Sequence, residues 1–232
     1  MLEIIRRDIV EEDNMKNLMF IAPPSAGKGT VAAIFKEKYN MAHISTGDLL
    51  RDAVKKGDEL GQKIKNMQDQ GLLVTDEIVY ELLEKRLQEP DCENGYILDG
   101  FPRNIEQAKK YDEILKNLNK DLGYVFLLNA PKDLLLKRII GRRMCSDCGK
   151  IYQVLLKGDM TPKQDGICDV CGGELYQRSD DNEEAFETRY STYIEKTSPL
   201  IEFYKAKGAL YEVDSSKNPD YAVEQIENII NK

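Results

Sequence analysis

The 232-residue chain has a single histidine, His43, and that scarcity removes several chemistries at once. No Ser–His–acid or Cys–His arrangement can be assembled around one imidazole set inside a strand-like run, which argues against acyl transfer and activated-nucleophile hydrolysis. Packing or hydrogen bonding is the expected role of His43. Long apolar runs are lacking too, since nothing approaches the roughly 18 residues of a membrane span. The stretch Met1 to Asp8 has no apolar core like that of a secretory signal, and its acids argue against a transit peptide, so a cytoplasmic location is expected. Basic charge is in deficit, with 33 Lys and Arg against 41 Asp and Glu for a net charge of −8. Sequence-independent nucleic-acid binding needs a net basic surface and is therefore disfavoured. Cysteine is sparse, and four of the five sit in two close pairs, which suits metal in a reducing compartment and not a secreted disulfide framework. Internal repeats and low-complexity tracts are absent.

What remains is a globular composition, 41% hydrophobic and 32% charged, long enough for one core with inserts. Short apolar runs recur at 18–21, 41–44, 96–98, 124–128 and 210–213 and read as strands. Helical patterns lie between them. One starts at a Thr75 cap with Asp76 and Glu77 in its first turn and stops before Pro90; a second starts near Asp133. A third begins near Asp181 and breaks at Ser198-Pro199, where a new cap and first-turn proline restart it. Strands alternating with helices predict an α/β fold, a parallel sheet covered on both faces. Two stretches, 46–75 and 143–177, interrupt the rhythm as inserts on a core of 16–45, 76–142 and 178–232. Residues 1–15 precede the first strand; Leu2, Ile5 and Ile9 are spaced loosely like a helix face, but no function is expected of this arm.

The segment Ala22-Pro-Pro-Ser-Ala-Gly-Lys-Gly-Thr30 joins an apolar run to an amphipathic one. A small-residue loop opening a helix folds around an anion, because unpaired amides and the helix dipole face inward while a lysine adds a full charge. The phosphate-loop pattern is met in part, with Ala22 at the usual first glycine and Gly29 displacing the hydroxyl to Thr30. A plain turn between strand and helix would share these residues. Tyr96-Ile-Leu-Asp99-Gly-Phe-Pro-Arg103 puts an acid at the end of a buried strand, next to where that loop should lie. There it can hold the water shell of a magnesium ion on bound phosphates, or simply start the turn before Gly100.

Cys145-Ser-Asp-Cys148 and Cys168-Asp-Val-Cys171 form two hooks, each followed by a glycine that lets the turn tighten. Such hooks close a tetrahedral thiolate site for zinc, and four thiolates leave no open position, so the metal is expected to be structural. Cys92 stands alone and reads as a plain packing or surface residue. Arg138 and Arg142 are four apart and share one helix face if the helix continues through Gly141; Arg178, Arg189, Arg51 and Arg103 lie elsewhere. Any one of them suits a solvated surface. Taken together around a phosphate loop, planar guanidinium forks neutralise charge on two substrates and on a moving phosphoryl group. An acceptor that is already an oxyanion needs no general base, which fits the missing histidines.

With these residues in view, the chain from Lys16 to the C-terminus resembles the adenylate kinase family, in its long form with a zinc-bearing lid. The resemblance rests on the phosphate loop, on His43-Ile-Ser-Thr-Gly-Asp48 with Arg51, and on Gly71-Leu-Leu-Val-Thr-Asp76. It rests also on Leu98-Asp-Gly-Phe-Pro-Arg103 with Gln107, Gly141-Arg-Arg143, the four cysteines, and Leu175-Tyr-Gln-Arg178 with Asp180 and Asp181. It implies a P-loop nucleoside monophosphate kinase fold, with a five-stranded parallel sheet, a monophosphate-binding insert at 46–75 and a zinc lid at 143–177. The implied reaction is reversible magnesium-dependent transfer from ATP to AMP, giving two ADP. Ser25, Ala26, Gly27, Lys28, Gly29 and Thr30 would hold ATP phosphates, and Ile151, Tyr152 and Lys217 would pack on its adenosine. Thr46, Arg51, Leu72, Leu73, Val74, Gly100, Phe101, Pro102, Arg103 and Gln107 would form the AMP site, with Gln107 reading adenine. Arg138, Arg142, Arg178 and Arg189 would clamp the transferring group, the last two also contacting AMP. Cys145, Cys148, Cys168 and Cys171 would bind zinc, and the family expectation is a monomer. Ala22, Ser25 and Ser215 stand where the family usually has glycine, which matters if the backbone there needs positive φ; the Ser25 hydroxyl could itself donate to phosphate. Two other readings share these motifs: a kinase for another monophosphate, and a zinc-ribbon nucleotide sensor without turnover.

Overall fold

A computed structural model describes residues 16–70 and 74–231. The arm 1–15, with Leu2, Ile5 and Ile9, and the site residues Leu72 and Leu73 lie outside the described residues. Five parallel strands form the main sheet: β1 (Leu18–Ile21), β2 (Ala42–Ser45), β3 (Tyr96–Asp99), β4 (Tyr124–Asn129) and β8 (Leu210–Asp214), in the order β2-β3-β1-β4-β8. The inner strands β1, β3 and β4 are short apolar runs because both their faces are covered, whereas the edge strands β2 and β8 alternate with polar residues. Side chains alternate between the two faces, as the period of two demands. Leu18 and Phe20 of β1, Ile97 of β3, and Phe126 and Leu128 of β4 enter one cluster. Helices α1 (Lys28–Tyr39), α6 (Lys132–Ile140), α7 (Glu183–Thr192) and α9 (Pro219–Ile230) cover it with Phe35, Leu135, Phe186 and Ile226. Met19, Ile21, Leu98, Val125 and Leu127 enter the other. There α4 (Asp76–Leu87), α5 (Ile105–Asn117) and α8 (Pro199–Ala206) contribute Leu83, Tyr111 and Tyr204.

Strand β1 sits centrally. The chain leaves it toward β2 on one side and later leaves β4 toward β8 on the other, so the carboxyl end of β1 is a topological switch point, where α/β sheets bind ligands. Helices α2 (Thr46–Lys56) and α3 (Glu59–Asp69) form a separate packet around Ala53, Ile64 and Ile78. A second, antiparallel sheet of β5 (Arg142–Cys145), β6 (Ile151–Gln153) and β7 (Leu175–Tyr176) is ordered β6-β5-β7. The hydrophobic side chains it buries are Cys145, Tyr152, Cys168 and Leu175.

The structure corrects one sequence expectation. The helix carrying Arg138 does not continue through Gly141. That glycine caps α6, and Arg142 opens β5, so the two arginines do not share a helix face. The third helical run does begin near Asp181, at Glu183: Asn182 caps it, its side chain accepting from the Ala185 amide at 2.9 Å, while the Asp181 carboxylate is committed to Arg142. That run ends at Thr192, passes through a single π turn at Tyr193–Thr197, and resumes at Pro199. No helix among the described residues is long and apolar enough to cross a membrane.

Candidate active site

The loop after β1 ends at Gly27, which caps α1 with φ 91°. The first-turn amides of α1 lack intrahelical partners, and no side chain caps them. A Cβ on Gly27 or Gly29 would meet nothing within 4 Å, so the ground above these amides is open. Lys28 forms an ion pair with Asp99 at the end of β3. Burial and the Arg103 guanidinium pull the Lys28 ammonium down to about 8. At about 8 the ammonium still keeps its proton at neutral pH for the most part. His43 Nε2 lies 3.4 Å from the other Asp99 oxygen, and burial, with Lys36 and Lys28 nearby, keeps the imidazole below its usual range. The contact is too poorly formed to be a hydrogen bond, so of the two roles expected of His43 only packing is seen.

Three further predicted residues gather here. A methyl on Gly100 would lie 3.4 Å from the Arg103 guanidinium and 3.6 Å from the Thr46 hydroxyl, which sets both groups beside the turn that follows Asp99. Arg103 is held by its Nε–H donating to the Gly100 carbonyl at 2.8 Å. Arg51 reaches back to Asp48 at 2.5 Å beside Gly47, in the first turns of α2. Gln107 is buried, its Oε1 accepting from the Arg103 amide at 2.8 Å and its Nε2 donating to Asp76 at 2.9 Å. Phe101 turns into the core against Tyr80 and Tyr111, and Val74 packs beside the α2–α3 packet.

A second group of arginines lies where β5 leaves the main domain and β7 returns to it. Arg142 grips Asp181 with two nitrogens, Nε at 2.9 Å, and that carboxylate is 1% exposed. Arg189 binds the neighbouring Asp180, its carbonyl at 2.5 Å and its carboxylate at 3.0 Å. Arg178 contacts the Met144 sulfur at 3.1 Å. Arg138 stands apart from these three: it donates to the carbonyls of Ser215, Ser216 and Lys217 beyond β8, at 2.7, 3.1 and 2.7 Å. Lys217 Nζ lies 3.9 Å over the Tyr221 ring. Ile151 is half-buried opposite Met144. Tyr152 is buried, with its hydroxyl 3.4 Å from the Cys168 sulfur and accepting from the Asp169 amide at 2.7 Å. Its ring therefore belongs to the small sheet's core, and only its backbone is left to face a nucleotide.

Of the three positions where the family usually has glycine, only Ser25 has positive φ, at 59°. Its hydroxyl is engaged within the protein. The single proton is directed to the Leu135 carbonyl at 2.6 Å or the Pro24 carbonyl at 2.7 Å, leaving only acceptor lone pairs. The left-handed conformation costs a side-chain-bearing residue about 1 kcal/mol, and a hydrogen bond of this kind returns about 1 kcal/mol. Ser25→Gly should therefore be close to neutral, whereas Ser25→Ala keeps the strain, loses the bond and should cost about 1 kcal/mol. Urea unfolding of the three proteins checks this; Ala as stable as Ser would discard the bond to Leu135. Ser215 hydrogen-bonds the Asn129 carbonyl at 3.0 Å and is buried without strain.

The four thiols Cys145, Cys148, Cys168 and Cys171 come together, with all sulfur atoms within 4.8 Å of one another. Gly149 and Gly172, at φ 71° and 76°, close the two hooks. Four sulfurs at this separation fit one tetrahedral metal ion. The acids that hold Arg142, Arg189 and Gln107 in place, Asp181, Asp180 and Asp76, stand in the motifs quoted above, but sequence reasoning gave none of them a role. Asp180 and Asp181 follow Arg178 closely enough to be suspected, but nothing local links Asp76 to a glutamine 31 positions on.

A family model described as adenylate kinase matches residues 20–209. An adenylate kinase of Archaeoglobus fulgidus is 50% identical over 93% of this chain and 98% of its own length. Those of Thermosipho africanus and Clostridium tetani are 46% and 42% identical over 93% and 92% of the chain, covering 100% and 98% of their lengths. The parallel sheet with its phosphate loop and the four-cysteine lobe fit these relatives, and the chain belongs to the adenylate kinase family.

Proposed function

We propose that the chain catalyses reversible phosphoryl transfer from ATP to AMP. An oxygen of the AMP phosphate attacks the γ-phosphorus, the bond from that phosphorus to the β,γ-bridging oxygen breaks, and two ADP leave. The observation that carries this reading is Lys28 at the head of α1, charged and touching Asp99, with the Arg103 guanidinium and the Thr46 hydroxyl beside the adjoining turn. The amides of Ser25 to Thr30 and Lys28 would bind the donor's phosphates. Thr46, Arg51 and Arg103 would bind the acceptor phosphate. Arg138, Arg142, Arg178 and Arg189 would meet the charge that spreads over the moving group. Residues 143–177 would act as a lid over the donor, since water left in the site would divert transfer to hydrolysis.

Asp99 offers an oxygen donor beside the phosphate loop, suited to the water shell of magnesium; the ion, when bound, neutralises phosphate charge. Zinc is the ion best matched to four thiolates, and its place is structural. A monomer working in a reducing cytoplasm on free nucleotides is consistent with the paired thiols and the net charge of −8.

The test is the purified protein with magnesium, ATP and a panel of nucleoside monophosphates, scored for diphosphate. Fast ADP formation from AMP is the expected result. Preference for CMP or UMP would replace the acceptor, and ATP binding without turnover would replace the reaction.

A further inference from the structure

The side-chain amide of Gln107 is held from two sides by groups that cannot exchange roles. A backbone N–H is only a donor, and a carboxylate at neutral pH only accepts. With the Arg103 amide at 2.8 Å and Asp76 at 2.9 Å, the oxygen must face Arg103 and the nitrogen must face Asp76. Turning the amide over would set N–H against N–H on one side and oxygen against carboxylate on the other. Asp76 is itself fixed, as the first residue of α4, with the Tyr80 hydroxyl 3.5 Å from its second oxygen. Gln107 is likewise anchored by its own amide donating to Asn104 Oδ1 at 2.8 Å.

We infer that Asp76 is a specificity-determining residue: by locking the orientation of the Gln107 amide, it selects an acceptor whose purine carries a 6-amino group. The inference rests on the proposed reading that Gln107 faces the base of the acceptor nucleotide. The remaining Nε2 proton and the free lone pair of Oε1 form a fixed donor–acceptor pair. Adenine presents the complement, an acceptor at N1 beside a donor at its 6-amino group. A 6-oxopurine presents the reverse, a donor at N1 beside an acceptor at O6, and could pair only with the overturned amide. Rejection then comes from leaving buried polar groups unpaired, which discriminates more strongly than shape alone. Asp76 does not touch the phosphates, so it acts as a positioning residue through Gln107.

Inosine monophosphate differs from AMP only at these two positions and is the appropriate probe. In Asp76→Asn the new side chain can accept from Nε2 or donate to Oε1, so the carboxylate's veto on the overturned amide is lost while its shape is kept. The ratio of kcat/KM for AMP over inosine monophosphate is expected to fall roughly tenfold, with the KM for ATP unchanged. Asp76→Ala removes the acceptor altogether and should lower the ratio in the same direction. Equilibrium binding of both monophosphates to each variant separates recognition from turnover. Parallel weakening of both nucleotides, with an unmoved ratio, would show Asp76 to be structural only and would overturn the lock. If the wild-type protein turns over neither monophosphate, the phosphotransfer reading falls and takes the lock with it; turnover of AMP with an unmoved ratio in Asp76→Asn defeats the lock alone.

Discussion

Arg142→Ala is expected to lose about a thousandfold in kcat and to be less stable by about 3 kcal/mol, two effects with different causes. The first follows from removing a guanidinium fork that would face the transferring phosphoryl group, where charge is spread over three oxygens and no base takes part. The second follows from Asp181, whose carboxylate is 1% exposed and has Arg142 as its ion-pair partner. Deleting the arginine leaves a buried charge uncompensated, and such half-broken pairs cost far more than the pair contributes. A second variant divides the effects. Arg142→Ala combined with Asp181→Asn removes the orphaned charge, so urea midpoints should recover much of the lost stability while kcat stays low. Recovery of turnover together with stability would mean that Arg142 serves only the fold.

The parts of this molecule that could be read in advance are those with local causes. Leu18–Ile21 and Tyr124–Asn129 announce themselves because a strand covered on both faces is a continuous apolar run. The phosphate loop is legible because glycine, lysine and a small-residue turn must be contiguous to wrap an anion. The cysteine hooks are legible because two thiolates of one hook are neighbours in the chain. What escaped depends on contacts between distant segments. Spacing puts Arg138 and Arg142 on one helical face, but Gly141 ends the helix, and pairing of β5 with β6 and β7 decides where Arg142 goes. The Ser25 hydroxyl looks free to meet a phosphate until the Leu135 carbonyl is seen beside it, 110 positions away in the chain.

Metal removal should unfold the small lobe and leave the main sheet intact. The two are unequally supported. The main sheet lies between clusters that each bury residues from at least four strands and helices, whereas the three-stranded sheet's own cluster holds four hydrophobic side chains, Cys145, Tyr152, Cys168 and Leu175. Four side chains, two of them cysteines, cannot offset the chain entropy of ordering residues 143–177, so a cross-link has to supply the difference. A structural zinc bound by thiolates contributes about 10–16 kcal/mol in isolated finger peptides, enough to decide whether such a lobe is folded. The decisive readout is hydrogen exchange before and after treatment with a strong chelator. The amides of Cys145, Cys168 and Gly172, bonded to the carbonyls of Lys150, Gly173 and Cys168, should lose protection. Those of Leu18–Ile21 and Tyr124–Asn129 should keep it. Cys168→Ser should behave like the chelated protein without any chelator. Full protection of the lobe amides in the chelated protein would mean that the four sulfurs merely pack, and that the lobe is held by its short strands alone. Loss of protection confined to the lobe would show that its folding is set by metal occupancy, independently of the sheet that carries Lys28 and Asp99.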